Sequence, residues 1–239
     1  MPTEVIERFL ANDDFVQRIE AGLDKKFSTD RDGWLREVRS RFTHIRSICE
    51  LTSTQILGIV KSKKLLAWIE SYRGNDGALL VGPTAAGKTI SAYAACQLAV
   101  ERSVREANAE PEKPSRSMDG EYMTFFDGGP AWKNPVRDLM VTSAREIGNL
   151  RDRAKLGDDE PSGIASARSC RLLVIDDLGW ERPHQSQAVA DVLASRYDNG
   201  VSTIATSGLS PGLLVERYGD AVIRRALETC GRKGAIIES

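Results

Sequence analysis

The sequence predicts an α/β fold in which helices cover both faces of a parallel central sheet. Short apolar runs at 77–81, 136–142, 171–175 and 201–206 indicate buried strands. Helical patterns follow these runs, and this alternation is typical of parallel sheets. Two of the runs lead directly into residue types that bind phosphate or metal, at the strand ends where α/β proteins hold their ligands.

A glycine-rich loop follows the first run. Its residues fit the pattern G-x-x-x-x-G-K-[ST], and they are Gly82, Pro83, Thr84, Ala85, Ala86, Gly87, Lys88 and Thr89. The glycines let the backbone bring its N–H groups against phosphate oxygens, and the next helix adds the positive end of its dipole. Lys88 is expected to reach the β- and γ-phosphates, and the Thr89 hydroxyl to bind Mg²⁺. The loop therefore predicts a site for a nucleoside triphosphate and Mg²⁺.

Two carboxylates end the third run. The segment 171–177 is an apolar stretch that closes with Asp176 and Asp177, and it indicates a buried strand that delivers acidic groups at its carboxyl end. We expect Asp176 to hold the magnesium shell and Asp177 to orient or deprotonate a hydrolytic water. A strand ending in two aspartates is weak evidence alone, but the phosphate loop upstream makes it specific.

Hydroxyl side chains end the fourth run, at Thr206 and Ser207. Two interpretations stay open at this point. The hydroxyls hydrogen-bond the γ-phosphate or the attacking water, or they satisfy polar groups at the strand end as in any sheet.

Composition places the chain among ordinary globular proteins. It has 239 residues, 41% of them hydrophobic and 28% charged, and a net charge of −1, so any nucleic-acid contact must use a local basic patch. No apolar stretch is long enough to span a membrane, and the acidic N-terminus is unlike a signal peptide. Widely spaced cysteines match no zinc or disulfide framework, which predicts a cytoplasmic protein with free thiols: Cys49, Cys96, Cys170 and Cys230.

The chain is expected to divide into a helical N-terminal extension over residues 1–50 and a nucleotide-binding domain over residues 51–239. A polar break at 30–33 interrupts the extension, which is too short for its own core and must pack on the same chain, a sister subunit or a partner. Residues 51–72 carry one helical pattern, 143–146 a capping box that opens another helix, and 157–166 a polar loop. Proline- and glycine-rich segments predict an inserted loop at about 103–134.

The order of these motifs resembles the AAA+ ATPases, and within them the DnaC/IstB-like group of helicase loaders and transposition helper ATPases. The resemblance extends over about residues 41–228 and includes the phosphate loop, the segment 172–179, Arg196-Tyr197 followed by 202–207, and 218–220 leading to Arg225. It implies a three-layer fold that binds ATP and Mg²⁺, with Lys88 and Thr89 gripping the nucleotide. It further implies Asp176 as the magnesium residue and Asp177 as the catalytic carboxylate.

The resemblance also implies roles for residues outside those two motifs. Thr206 or Ser207 would sense the γ-phosphate, and Arg225, ahead of Arg224, would be an arginine finger that completes the site of a neighbouring subunit in a homo-oligomer. Such a guanidinium is worth about 10³–10⁵ in rate. The alternative interpretation of both arginines is surface charge on an amphipathic helix.

This sequence departs from the family pattern at three places. Gly208 stands where the sensor strand usually ends in Asn, and Asp177 stands where many members carry Glu. The family commonly continues to a second sensing arginine, and we expect that function to be absent here or carried by Arg232.

The function implied is ATP-driven assembly of a replicative helicase on single-stranded DNA, which is favoured over duplex. One alternative is a transposition helper that acts with a transposase on duplex DNA. Two alternatives from other classes are a P-loop small-molecule kinase and a nucleotide-binding scaffold that does not hydrolyse ATP. The acid pair followed by the Thr-Ser strand argues against the kinase, and Gly208 favours the scaffold.

Overall fold

A computed structural model describes residues 25–42, 45, 53–74, 76–109, 136, 138–155, 157, 159–229, 232–233 and 235–238. Five strands form a parallel sheet whose order across the sheet is β2-β3-β4-β1-β7. Their bounds are β1 Ala78–Val81, β2 Leu139–Ser143, β3 Leu172–Asp176, β4 Ser202–Ser207 and β7 Ala235–Glu238. A small antiparallel pair, β5 Glu228–Thr229 with β6 Arg232–Lys233, precedes the last strand. The sheet is therefore parallel throughout, as the continuous apolar runs predicted.

Helices cover one face of the sheet. They are α1 Lys25–Arg41, α2 Ser53–Ile59, α3 Lys63–Ser71 and α4 Lys88–Ala109. Their apolar side chains share one core cluster with Leu80, Leu172 and Val174 of the strands. Val38 and Phe42, at the end of α1, are fully buried in this cluster, so the described part of the predicted extension packs on the same chain.

A second layer of helices covers the opposite face. It contains α5 Ala144–Arg153, α6 Ser162–Ser169, α7 Ser186–Asp198, α8 Pro211–Tyr218 and α9 Asp220–Leu227. These helices share a core cluster with Leu79, Leu173 and Ile175, the strand residues that alternate with those of the first face. Both faces of β3 are thus buried, and the three-layer α/β fold class predicted from the sequence is confirmed.

Several element boundaries differ from the sequence-based expectations. The prediction of a polar break at 30–33 is wrong, because α1 continues through these residues. Asp32 is exposed on one side of the helix, while Leu35 and Val38 face the core. The helical pattern at 51–72 is two helices, the second of which begins at an N-cap, Ser62, whose hydroxyl accepts from Leu65 N at 3.4 Å. The strand 136–142 begins later, at Leu139.

The polar loop expected at 157–166 is wrong in its second half, where α6 begins. Ile164 and Ala167 lie three residues apart and are buried, which is the spacing of one helical face. The capping box that opens α5 is confirmed in part, since the Ser143 hydroxyl accepts from Glu146 N at 3.1 Å. The last strand, β7, pairs with β1 at the edge of the sheet.

Two predicted regions lie largely outside the described residues. Residues 1–24 of the extension and 110–134 of the inserted loop belong to them, while 103–109 are not loop but complete α4. Where the structure describes helices, none of them has the length and apolar character that crossing a membrane requires.

Candidate functional site

The phosphate loop connects β1 to the first turn of α4. Gly82 N donates to Ser207 O of the neighbouring strand at 3.2 Å, which ties the start of the loop to the end of β4. Ala85 and Gly87 have positive φ, 64° and 88°, so the chain turns sharply before α4 begins at Lys88. The amino-terminal end of α4, whose first N–H groups have no acceptor within a helix, therefore follows directly on the loop, the arrangement that phosphate binding uses.

Lys88 lies inside this loop with only 8% of its surface exposed. Its Nζ donates to Gly82 O at 2.9 Å and to Pro83 O at 2.7 Å. Burial lowers the pKa of this amine below its usual value, while the carboxylates of Asp177 and Asp176 act in the opposite direction. The ammonium group is thus bound by two backbone carbonyls of the loop and lies near the acid pair. From this position it could bind a phosphate in the loop.

The carboxylate of Asp176 accepts hydrogen bonds from two hydroxyl groups. Thr89 Oγ1 donates to Asp176 Oδ1 at 2.8 Å, and Thr206 Oγ1 donates to the same oxygen. The hydroxyl of Thr206 in turn accepts from Asp177 N at 3.1 Å. These contacts join the phosphate loop, the end of β3 and the end of β4 around one carboxylate oxygen, and hydroxyl and carboxylate oxygens are ligands that Mg²⁺ prefers.

Asp177 follows in the turn after β3. Its backbone has a positive φ of 54°, a conformation that aspartate tolerates better than most residues. Leu178 N donates to Thr206 O at 2.7 Å and Trp180 N to Asp177 O at 3.1 Å, so the turn is fixed at both ends. Its side chain is exposed and lines the cavity beside the phosphate loop.

That cavity has a volume of about 490 Å³, within the range of small-molecule sites, which is roughly 300–1,000 Å³. It is lined by the loop residues and both carboxylates, namely Ile45, Thr84, Ala85, Gly87, Lys88, Thr89, Ile90, Asp176, Asp177, Trp180 and Gly208. The sequence-predicted loop and the acid pair are therefore brought together around one space.

Thr206 and Ser207 are fully buried and are not among the described residues that line the cavity. Ser207 Oγ donates to Leu178 O at 2.6 Å and accepts from Leu209 N at 3.0 Å, so its hydroxyl is committed to the backbone. Thr206 contacts the acid pair instead. Of the two interpretations open from the sequence, this geometry matches internal hydrogen bonding at the strand end.

Arg225 lies on the exposed side of α9. Its guanidinium lies over the ring of Tyr197, with Cζ 5.6 Å from the ring centroid. Arg224 is exposed as well, and neither arginine is among the described residues that line the cavity of its own chain. This position is compatible with both interpretations open from the sequence, surface charge on an amphipathic helix and a role at the site of another subunit.

A buried acidic residue near the site was missed by the sequence analysis. The side chain of Glu181 is fully buried and accepts from Gly179 N, Ser186 Oγ, Arg217 Nε and Tyr218 Oη. Burial alone would raise its pKa, but the hydrogen bonds from Tyr218 and Arg217 hold the pKa below its usual value. Glu181 fits no motif, and only its position four residues after Asp177 could have drawn attention to it.

A buried arginine was also missed as a structural element. The guanidinium of Arg196 donates to Thr203 Oγ1 at 2.8 Å, to Ala167 O at 2.7 Å, to Cys170 O at 2.8 Å and to Ser202 O. Burial lowers its pKa. The sequence marked Arg196 only as part of the family resemblance.

Comparison with known proteins gives similarity at the level of the fold. No family model matches this chain, and no curated protein sequence matches it. Matching solved structures include the DnaC helicase loader, with 17% identity, a TM-score of 0.46, and coverage of 79% of this chain and 91% of that one. DnaI matches at 15% identity, a TM-score of 0.45, and 85% and 93% coverage.

AMPPCP-bound DnaA from Aquifex aeolicus also matches, at 16% identity and a TM-score of 0.44 over 73% of this chain and 44% of that one. At these identities the likeness concerns the arrangement of strands and helices. The DnaC-type loaders that the motifs resemble are thus among the solved structures to which this chain is similar.

Proposed function

We propose that this chain binds Mg²⁺-ATP in the cavity beside the phosphate loop and hydrolyses it, as part of a helicase-loader type of assembly in DNA replication. One observation carries the proposal. The hydroxyls of Thr89 and Thr206 both donate to Asp176 Oδ1, directly beside the loop that holds Lys88. A chance glycine turn would not have a carboxylate oriented by two hydroxyls from two other elements.

The residues present fit both cofactors. Thr89 Oγ1 and Asp176 Oδ1 are 2.8 Å apart, so they can supply neighbouring oxygen ligands to one Mg²⁺. The loop leads into the N-terminus of α4, whose backbone N–H groups can bind phosphate. Lys88 would hold the phosphates. When bound, the metal supplies charge neutralisation at the terminal phosphates.

The remaining steps belong to the chain's own side chains. Asp177, exposed at the strand tip, would accept a hydrogen bond from a water and orient it, and would take up its proton. Thr206 would hold Asp176 and the Asp177 backbone in register and so is a positioning residue. Ser207 would act only through the loop that follows Asp177.

Arg225 is the residue that would make hydrolysis depend on assembly of several copies. Because this exposed residue is absent from the lining of its own chain's cavity, as far as the structure describes it, we propose that it completes the site of a neighbouring copy in a homo-oligomer. Hydrolysis would then depend on protein concentration. The partners proposed are a replicative helicase and single-stranded DNA, because the motifs resemble those of the DnaC-type loaders. If duplex DNA stimulated turnover and single-stranded DNA did not, the alternative partners, a transposase and duplex DNA, would be favoured.

The experiment that tests this proposal measures ATPase rate against protein concentration, with single-stranded, double-stranded or no DNA. Lys88→Ala is expected to abolish nucleotide binding. Arg225→Ala is expected to keep binding and lose about 10³-fold or more in turnover. Arg224→Ala, on the same exposed helix, is the matched control and is expected to keep turnover. Equal turnover in wild type and Arg225→Ala would contradict the role of Arg225 as an arginine finger. A rate per subunit that does not depend on protein concentration would contradict the proposal that hydrolysis requires assembly.

A further inference from the structure

Trp180 is a large apolar side chain placed at the rim of the nucleotide cavity. It is 62% exposed and lines that cavity together with Asp177 and Gly208. The backbone around it is fixed, because Trp180 N donates to Asp177 O at 3.1 Å and the next residue, Glu181, has a fully buried side chain. An indole is thus held beside the catalytic acid pair on a rigid turn, with most of its own surface in solvent.

The ring explains the glycine at position 208. A Cβ added to Gly208 would lie 3.2 Å from Trp180 Nε1, closer than nearly all real contacts of this kind. Gly208 is not among the described glycines with positive φ, so its backbone conformation does not demand glycine. The space that a side chain at the end of β4 would use is therefore taken by the N–H edge of the indole.

The chemistry of that edge is specific. An indole Nε1–H is a donor without any acceptor capacity. The protein groups that dominate this part of the cavity are carboxylates, held by Thr206 and the turn after β3. The acceptors that arrive with a nucleotide are phosphate oxygens, and those of the last phosphates would lie near the acid pair, because Lys88 and Thr89 line the same cavity and Thr89 contacts Asp176 directly.

We propose that the Trp180 indole N–H donates a hydrogen bond to the terminal phosphate of the bound triphosphate, so that the cavity distinguishes a triphosphate from a diphosphate. This inference rests on the proposed nucleotide site. Gly208 has a supporting part, because it leaves the room in which the ring lies. Trp180 would thus occupy the position from which a side chain on β4 would otherwise reach the ligand.

The test is a comparison of Trp180→Phe with wild type in calorimetric binding of ADP, of a non-hydrolysable ATP analogue and of single-stranded DNA, in the presence of Mg²⁺. Phenylalanine keeps an aromatic ring and loses the N–H. The analogue is expected to bind about tenfold more weakly, and ADP within about twofold of wild type. Gly208→Ala, which displaces the ring edge, is expected to produce the same selective loss. Tyr197→Phe, an exposed aromatic under Arg225, is the control and is expected to leave both affinities unchanged.

Three results would overturn the inference. Equal weakening of ADP and the analogue would mean that the ring packs against a part common to both nucleotides. Unchanged affinity for both would mean that the N–H has no role. A loss confined to single-stranded DNA affinity would identify Trp180 as a base-stacking surface. Failure of the proposed function itself is distinguishable, because wild-type protein would then bind neither nucleotide.

Discussion

Replacing Thr206 with valine tests the central geometry of the site. The Thr206 hydroxyl donates to Asp176 Oδ1 and accepts from Asp177 N at 3.1 Å. The residue is fully buried, so water cannot take the place of the hydroxyl. Valine retains the branched shape of threonine and loses both hydrogen bonds, which leaves the carboxylate and the amide without their shared partner.

The expected magnitude follows from those two contacts. A hydrogen bond to a charged group contributes about 1.5–3 kcal/mol, and an amide left without its partner costs about 1–3 kcal/mol when it is shielded from water. Because Asp176 keeps the hydrogen bond from Thr89, the net loss in free energy of unfolding is expected to be about 1–3 kcal/mol. Loss of a residue that orients a metal ligand typically costs about 10–100-fold in metal affinity or activity.

The assay is ATPase rate as a function of Mg²⁺ concentration, with nucleotide binding measured in parallel. Thr206→Val is expected to raise the Mg²⁺ concentration for half-maximal rate about 10–100-fold while binding of the nucleotide to the loop persists. Ser202→Ala, at the opposite end of the same strand, is the control for effects on the sheet alone. An unchanged Mg²⁺ dependence in Thr206→Val, with stability lowered, would refute the reasoning that Thr206 positions Asp176.

Two further predictions concern buried ionic groups. Glu181 has a depressed pKa, so its ionised form stabilises the fold above the unfolded value of about 4.3 and that stabilisation is lost as pH falls through the lower, folded value. Glu181→Gln is expected to lose about 2–4 kcal/mol at neutral pH and to show a shallower decline of stability with acid, measured by urea unfolding at several pH values; a wild-type slope in the variant would contradict this. Arg196→Met removes the guanidinium donor from three carbonyl oxygens and is expected to cost about 3–5 kcal/mol in the same assay, and a loss under about 1 kcal/mol would show that water replaces the guanidinium.

The sequence predicts well those parts of the site that are defined by a motif, in which particular residue types at a fixed spacing serve one chemical purpose. The segment from Gly82 to Thr89 and the pair Asp176-Asp177 belong to this class, because strand ends in a parallel sheet meet at one edge. Their convergence on one cavity follows from the order of the strands. The apolar runs predict the strands for a related reason, since both faces of a central parallel strand must be apolar.

The contacts that hold those residues in place are not readable from spacing. Thr206 and Ser207 both end the same strand, and only the sheet's twist and the turn after β3 decide which hydroxyl contacts a carboxylate and which a carbonyl. Glu181 depends on partners 36 and 37 residues away. A sequence pattern carries no information about such distant pairs when each partner is a common polar residue.

The end of β4 connects the two halves of the proposed site. Ser207 O accepts from Gly82 N at the start of the phosphate loop, and Thr206 accepts from and donates to the acid pair on the other side. Because β4 lies between β1 and β3 in the sheet, a shift of this one strand end moves both the loop and the carboxylates relative to each other. The spacing between phosphate-holding and water-orienting groups is therefore set by residues that are shut out of the cavity, and substitutions there should change turnover and Mg²⁺ dependence more than they change nucleotide affinity.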